Sequence, residues 1–137
     1  MNLAILSVGS NIDPYENILQ AAALLADQHN LISVSSFIWT SPEGFADQPD
    51  FLNGAFYIKT DLKLPALKEQ LRDIETRLGR IRMPNKNGPR SIDLDIVVFN
   101  GRVIDPDYDQ YGFVKRSVDE IFQQIRSKKW KRKIEVG

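Results

Sequence analysis

Residues 88–99 read GPRSIDLDIVVF, and two acids interrupt what is otherwise a strand-like run of β-branched and aliphatic residues. Asp93 and Asp95 are two positions apart, so on a strand their carboxylates share one face while Ile92, Leu94 and Ile96 share the other. Two neighbouring acids repel each other and are costly to desolvate unless something positive sits on them. The preceding segment holds Arg80, Arg82, Lys86 and Arg90, four cations within eleven residues. A guanidinium offers a fork of donors that matches phosphate oxygens. Carboxylates at Asp-x-Asp spacing can hold Mg²⁺, which takes a few carboxylates together with waters and substrate phosphates. The set therefore suits a metal-bridged polyphosphate, and phosphoryl transfer asks little else of a protein than positioning and relief of charge. The same residues also fit ordinary ion pairs on an open sheet face, with Arg80, Arg82 or Arg90 on Asp93 and Asp95, and the spacing leaves both readings open. There is no GxxxxGK[ST] and no GxGxxG. Gly9-Ser10-Asn11 reads as a plain strand-to-helix turn.

The elements that must position these groups follow from periodicity. Residues 3–8 form a short apolar run, and Asp13-Pro14-Tyr15-Glu16 resembles a helix start with Asp as N-cap. Tyr15, Ile18, Leu19, Ala22 and Leu25 recur at helical spacing, which predicts a helix to about Gln28. Residues 31–40 and 51–60 are β-rich, and the SPEGFADQPD loop between them is long for a hairpin, as functional loops often are. Leu64, Leu67, Leu71, Ile74 and Leu78 predict a second helix, stopped by Gly79. A strand is predicted over 92–99. A capping box at Ser117-Val118-Asp119-Glu120 predicts a third helix carrying Val118, Ile121, Phe122 and Ile125. The order is that of an α+β, ferredoxin-like βαββαβ fold: an antiparallel sheet with helices on one face, plus a C-terminal helix. Many functions use this fold, so function has to come from the site.

The 137 residues suit a single domain over 1–137, and 42% hydrophobic content is enough for one core. A net charge of zero provides no global field toward nucleic acid or acidic lipid. The basic stretch SKKWKRK at 127–133 reads as a helix end trailing into a solvated tail. With no cysteine there is no disulfide, thiolate metal site or thiol catalysis, which fits a reducing compartment. No signal-like start and no membrane-length apolar run are present. The expectation is a cytoplasmic protein, not bound to membrane or nucleic acid, and a monomer. His29, the sole histidine, is expected on the surface near the end of the first helix.

Several blocks taken in order resemble a known family. VGSN at 8–11, SSFIWTSPEG at 35–44, DQPDFLN at 47–53, IETRLGRIR at 74–82 and GPRSIDLDIVVF at 88–99 are similar to 6-hydroxymethyl-7,8-dihydropterin pyrophosphokinases of folate biosynthesis. The resemblance runs from about residue 3 to 99 and is most specific at GPR-x-x-DLD. It implies transfer of the β,γ-pyrophosphoryl group of ATP to the hydroxymethyl oxygen of the pterin, with release of AMP. By the same resemblance Asp93 and Asp95 hold two Mg²⁺ ions, and Arg80 and Arg90 contact phosphate in the catalytic centre. Glu75, Arg82, Ile96 and Tyr108 belong with ATP. From the residues alone, Glu75 is a surface acid of the second helix. Thr40, Pro42, Phe51, Asn53 and Phe113 are implied on the pterin side, with Phe51 and Phe113 sandwiching the ring and Asn53 reading its edge. Loops 41–50 and 80–90 are implied as lids that exclude water.

Beyond Gly101 the chain departs from that family. Asp107 stands where a His is expected after Pro106, Tyr111 stands about where an Arg is expected, and the segment is shorter. Lys115, Arg116 and Ser117 replace apolar residues after Phe113-Val114. Asn87 stands for an aromatic, Glu43 for an apolar loop residue, and the family's C-terminal region does not follow. Asp105, Asp107 and Asp109 oppose a polyanion unless Lys115 or Arg116 moves in. The leading reading is an active pyrophosphokinase. The alternative is a divergent paralogue that binds a pterin or related ligand without efficient transfer. A nucleic-acid binder using the 127–133 stretch and Trp130 is a third class, which the zero net charge opposes.

Overall fold

The computed structural model describes residues 1–42, 44, 47–81 and 88–136, with side chains to residue 128. The central strand is β1 (Asn2–Ser10), flanked by β4 (Phe51–Thr60) and β5 (Asp93–Phe99). Outside β4 lie β2 (Asn30–Val34) and β3 (Ile38–Thr40), and outside β5 lies β6 (Arg102–Val103). Every pairing is antiparallel.

The two faces of the sheet carry different cores, which is why both alternating sets of β1, Ala4, Leu6 and Val8 on one face and Ile5 on the other, are buried. Ala4, Leu6 and Val8 meet α1 (Pro14–Gln28) through Ile18, Ala21 and Leu25, and α2 (Leu64–Arg77) through Leu67, Leu71 and Ile74. On the other face Ile5, Ala55 and Val98 meet Val114, Val118 and Ile121 of α4 (Gly112–Val136). A short α3 (Asp107–Gln110) precedes α4.

The predicted elements are recovered with local corrections. Asp13 occupies the N-cap position of α1 but makes no side-chain cap, because its backbone is left-handed at φ 42°; its carbonyl accepts the Asn17 N–H at 3.0 Å. The stretch 31–40 splits at Ser35, whose hydroxyl accepts the Ala55 N–H at 2.7 Å in place of a ladder carbonyl. The proposed cap at Ser117 lies inside α4, where the hydroxyl donates to the Phe113 carbonyl at 3.0 Å; the helix starts five residues earlier. Residues 127–133 continue α4 as helix. The β5–β6 hairpin was not foreseen, although Asn100-Gly101 is its signal. Both residues have positive φ, 50° and 81°, the backbone a two-residue hairpin turn requires. Among the described residues no helix is long and apolar enough to cross a membrane.

Candidate active site

Strand register builds the site. Gly9 of β1 stands opposite Asn53 of β4 and Asp93 of β5, and Ser7 stands opposite Ala55 and Asp95. Residues directly opposite each other point to the same side, so Asn53, Asp93 and Asp95 share the α4 face. At this end α4 has only begun, and a cavity of about 300 Å³ remains, lined in part by Ser7, Gly9, Thr40, Ser41, Phe51, Asn53, Phe113 and Val114. Arg80, Arg90, Asp93, Asp95, Asp107 and Tyr111 complete its polar and aromatic wall. Gly9 is required here: a Cβ on it would lie 2.5 Å from Oδ1 of Asn53. Asn53 is buried, and its Nδ2 donates to Thr40 Oγ1 at 2.6 Å, which fixes the direction of the amide.

The two acids of β5 have unlike surroundings. Asp93 is clamped by both arginines: Arg80 Nη1 lies 3.0 Å from Oδ1 and Arg90 Nη1 lies 2.7 Å from Oδ2. Among the described residues no cation pairs with Asp95. Burial, then the charges of Asp93, Glu75, Asp105 and Asp107, push its carboxyl from the ordinary 3.8 up to about 8. Of the two readings left open by spacing, ion pairing thus accounts for Asp93 and, among the described residues, leaves Asp95 without a cation partner.

Glu75 is not the surface acid expected from the residues alone. It is 2% exposed, and its Oε2 accepts from Arg80 Nη1 and from the backbone N–H of Leu94, both at 2.8 Å. Its place is legible in hindsight: it follows Leu71 by four, at the edge of the apolar stripe.

The remaining predicted residues separate. Ile96 points to the α1–α2 face and is buried there. It also lines a second groove with Lys68, Leu71, Arg72, Ile104, Asp105 and Pro106, to which Asp95 contributes as well. That groove runs along β5, which β6 covers only at Val98 and Phe99. Tyr108 lines neither groove. Its hydroxyl donates to Asp119, and Lys115 Nζ lies 3.1 Å from that hydroxyl and 4.4 Å from the ring centroid. Lys115 is thereby held against α3 and α4. Pro42 follows the lining residue Ser41 but is not itself in the wall. Arg82, Glu43 and Asn87 lie outside the described residues. His29 lies partly exposed at the end of α1, with its Nε2 against Oε1 of Gln70.

Three participants were missed in the sequence. Asn11, taken as part of a plain turn, is 4% exposed. Its Nδ2 donates to Gln48 Oε1 at 2.8 Å and to the Pro49 carbonyl at 3.0 Å, and its Oδ1 accepts from the Arg90 N–H at 2.8 Å. One amide thus ties together the roots of the 41–50 and 80–90 loops. Asp107 and Tyr111, read as departures, both line the cavity. Burial and then the charges of Asp105 and Asp93 raise the Asp107 carboxyl above its usual range.

Among the described residues no three His, Cys, Asp or Glu side chains gather as a metal site. What the wall offers is a pair of carboxylates, one lacking a counter-cation, beside two guanidinium groups. That donor set fits a hard divalent cation completing its shell with water and phosphate oxygens.

Known proteins are similar to this chain in sequence. The family model described as 7,8-dihydro-6-hydroxymethylpterin-pyrophosphokinase matches residues 5–123. The chain is 39% identical over 135 residues to the 2-amino-4-hydroxy-6-hydroxymethyldihydropteridine pyrophosphokinase of Bacillus subtilis, an alignment covering 90% of this chain and 80% of that protein. The Haemophilus influenzae protein of the same name is 35% identical over 122 residues, covering 82% and 75%. The folic acid synthesis protein FOL1 of Dictyostelium discoideum is 37% identical over 107 residues, which is 77% of this chain but 16% of that much longer protein.

Proposed function

This chain belongs to the 7,8-dihydro-6-hydroxymethylpterin-pyrophosphokinase family, and we propose that it transfers pyrophosphate from ATP to 6-hydroxymethyl-7,8-dihydropterin, releasing AMP, in folate biosynthesis. The observation that carries this reading is the continuity of one cavity. It joins an aromatic and amide wall, Phe51, Phe113 and Asn53, to a carboxylate and guanidinium wall, Asp93, Asp95, Arg80 and Arg90.

In this reading the flat pterin stacks on Phe51 and Phe113. The Asn53 amide, fixed by Thr40, reads its polar edge, and Pro42 shapes the loop above. The hydroxymethyl oxygen forms a bond to the β-phosphorus of ATP. The bond from that phosphorus to the α,β-bridging oxygen breaks, the oxygen leaves with AMP, and the hydroxyl proton passes to solvent. Asp93 and Asp95 would hold two Mg²⁺ ions, which supply positive charge against the phosphate oxygens and lower the cost of the developing negative charge. Arg80 and Arg90 rest on Asp93 in the free protein and turn to phosphate as nucleotide arrives, so their positive charge is stored within reach of the reaction. Glu75 holds Arg80 in place for that exchange. Ile96 gives the second groove an apolar floor for the nucleoside end of ATP. Arg82 is a further nucleotide contact, and Tyr108 joins it by giving up its bond to Asp119. Loops 41–50 and 80–90 close over the substrates.

The all-antiparallel sheet, with α1 and α2 on one face and α4 on the other, supports a ferredoxin-like single domain over 1–137. We take it to act as a cytoplasmic monomer on small molecules alone. The test is AMP release from ATP, Mg²⁺ and 6-hydroxymethyl-7,8-dihydropterin, with an Asp93→Ala/Asp95→Ala protein as blank. Turnover well above the blank is expected, and AMP no higher than the blank refutes the reading.

A further inference from the structure

We propose that Tyr111 is a positioning residue for the pterin: its ring backs Phe113 and fixes the aromatic face on which the heterocycle stacks. This rests on the reading of Phe113 as a pterin contact given above.

Tyr111 and Phe113 both line the cavity, with ring centroids 5.6 Å apart and planes 27° from parallel. Residues two apart in a continuous helix do not face each other. These two do because the helix is interrupted for a single residue. Between α3 and α4, Tyr111 is extended at φ −119° and ψ 118°. Its backbone serves both helices. The N–H donates to the Asp107 carbonyl at 3.0 Å and closes α3. The carbonyl accepts from Val114 N–H at 3.1 Å and Lys115 N–H at 3.2 Å and opens α4. Two helix ends thereby set the direction of the side chain, while Val114 and Val118 anchor the turn that carries Phe113 in the core.

A phenyl ring has two faces. Tyr111 occupies one, so a flat ligand has the other. An aromatic backing orients that face at low entropic cost, since neither ring has many rotamers to lose. The tyrosine hydroxyl accepts from Gln110 Nε2 at a long 3.5 Å, and the residue brings a neutral aromatic surface rather than charge to the wall. Its contribution therefore belongs to the heterocycle and not to the triphosphate. The competing role is a hydroxyl contact to phosphate, and Tyr111→Phe separates the two.

The experiment measures two affinities on the full chain. Binding of 6-hydroxymethyl-7,8-dihydropterin is followed by its fluorescence, and binding of a non-hydrolysable ATP analogue with Mg²⁺ by calorimetry. Tyr111→Leu, which removes the aromatic face, is expected to weaken the pterin roughly three- to tenfold and to leave the nucleotide within about twofold. Tyr111→Phe is expected to match the parent protein for both ligands. Tyr111→Gln, carried in parallel in case the leucine protein does not fold, is expected to behave as Tyr111→Leu. Unchanged pterin affinity in the leucine and glutamine proteins overturns the proposal, as does a loss of nucleotide affinity in Tyr111→Phe. Failure of the parent protein to bind the pterin at all refutes the functional reading instead, and this inference with it.

Discussion

Glu75 and Arg80 meet across the end of α2: Nη1 of Arg80 lies 2.8 Å from Oε2 of Glu75, and that same oxygen accepts the Leu94 N–H at 2.8 Å. One buried carboxylate thus joins the last turn of a helix, a cavity arginine and the start of the acidic strand. Removing it as Glu75→Ala leaves a 13%-exposed guanidinium short of a partner and a buried N–H unmatched. The expected cost is about 3 kcal/mol in urea unfolding. Glu75→Gln keeps an acceptor oxygen and should cost about half as much. Equal losses in the two variants would remove the charge from the account.

The raised Asp95 carboxyl has a consequence for metal-free protein. Its carboxyl titrates near 8 when folded, against an ordinary value of 3.8. Below about pH 4 both states hold the proton, and between about 4 and 8 only the folded state does, so stability falls as pH rises across that window. Asp95→Asn resembles the protonated acid and does not titrate. With EDTA present its unfolding midpoint should exceed that of the parent protein by a margin that widens from pH 5 to pH 8. A margin that stays constant with pH would show that desolvation of the charge is not the cause.

Arg90 works through shape as well as charge. Its Nη1 is 2.7 Å from Asp93 Oδ2, and its guanidinium carbon is 5.4 Å from the centre of the Phe51 ring. Lysine keeps the charge but has neither the fork nor the planar stacking surface. Arg90→Lys should therefore recover little of the loss in kcat/KM caused by Arg90→Ala, which is expected to be about 10²-fold. Steady-state AMP formation reads this, and full rescue by lysine would reduce Arg90 to a point charge.

Asn11 connects Gln48, Pro49 and the backbone of Arg90. Asn11→Ala loosens both loop roots together, so KM for pterin and KM for ATP should rise in the same variant. Stability should fall by about 1 kcal/mol from the hydrogen bonds lost. A change in only one KM would show that the two loops are not joined through this amide.

The sequence made much of the architecture legible, because periodicity depends on neighbours a few residues away. The apolar spacing through Ile18 and Leu25 located α1, the stripe from Leu64 to Ile74 located α2, and the β-rich run at 51–60 coincides with β4. The two-residue β6 and the four-residue α3 are too short to show a period, and α4 begins ahead of the cap that Ser117 suggested. The residue types at 80, 90, 93 and 95 suited phosphate and metal chemistry and equally suited ordinary ion pairs. Their pairing could not be read from spacing. Both arginines settle on Asp93 and leave Asp95 to its burial and its acidic neighbours because of where the end of α2, the strand register and the 105–107 turn lie relative to one another. Hydrophobic rhythm is local and survives in the chain order, whereas the charge state of Asp95 is a sum over groups that only the assembled sheet brings within range.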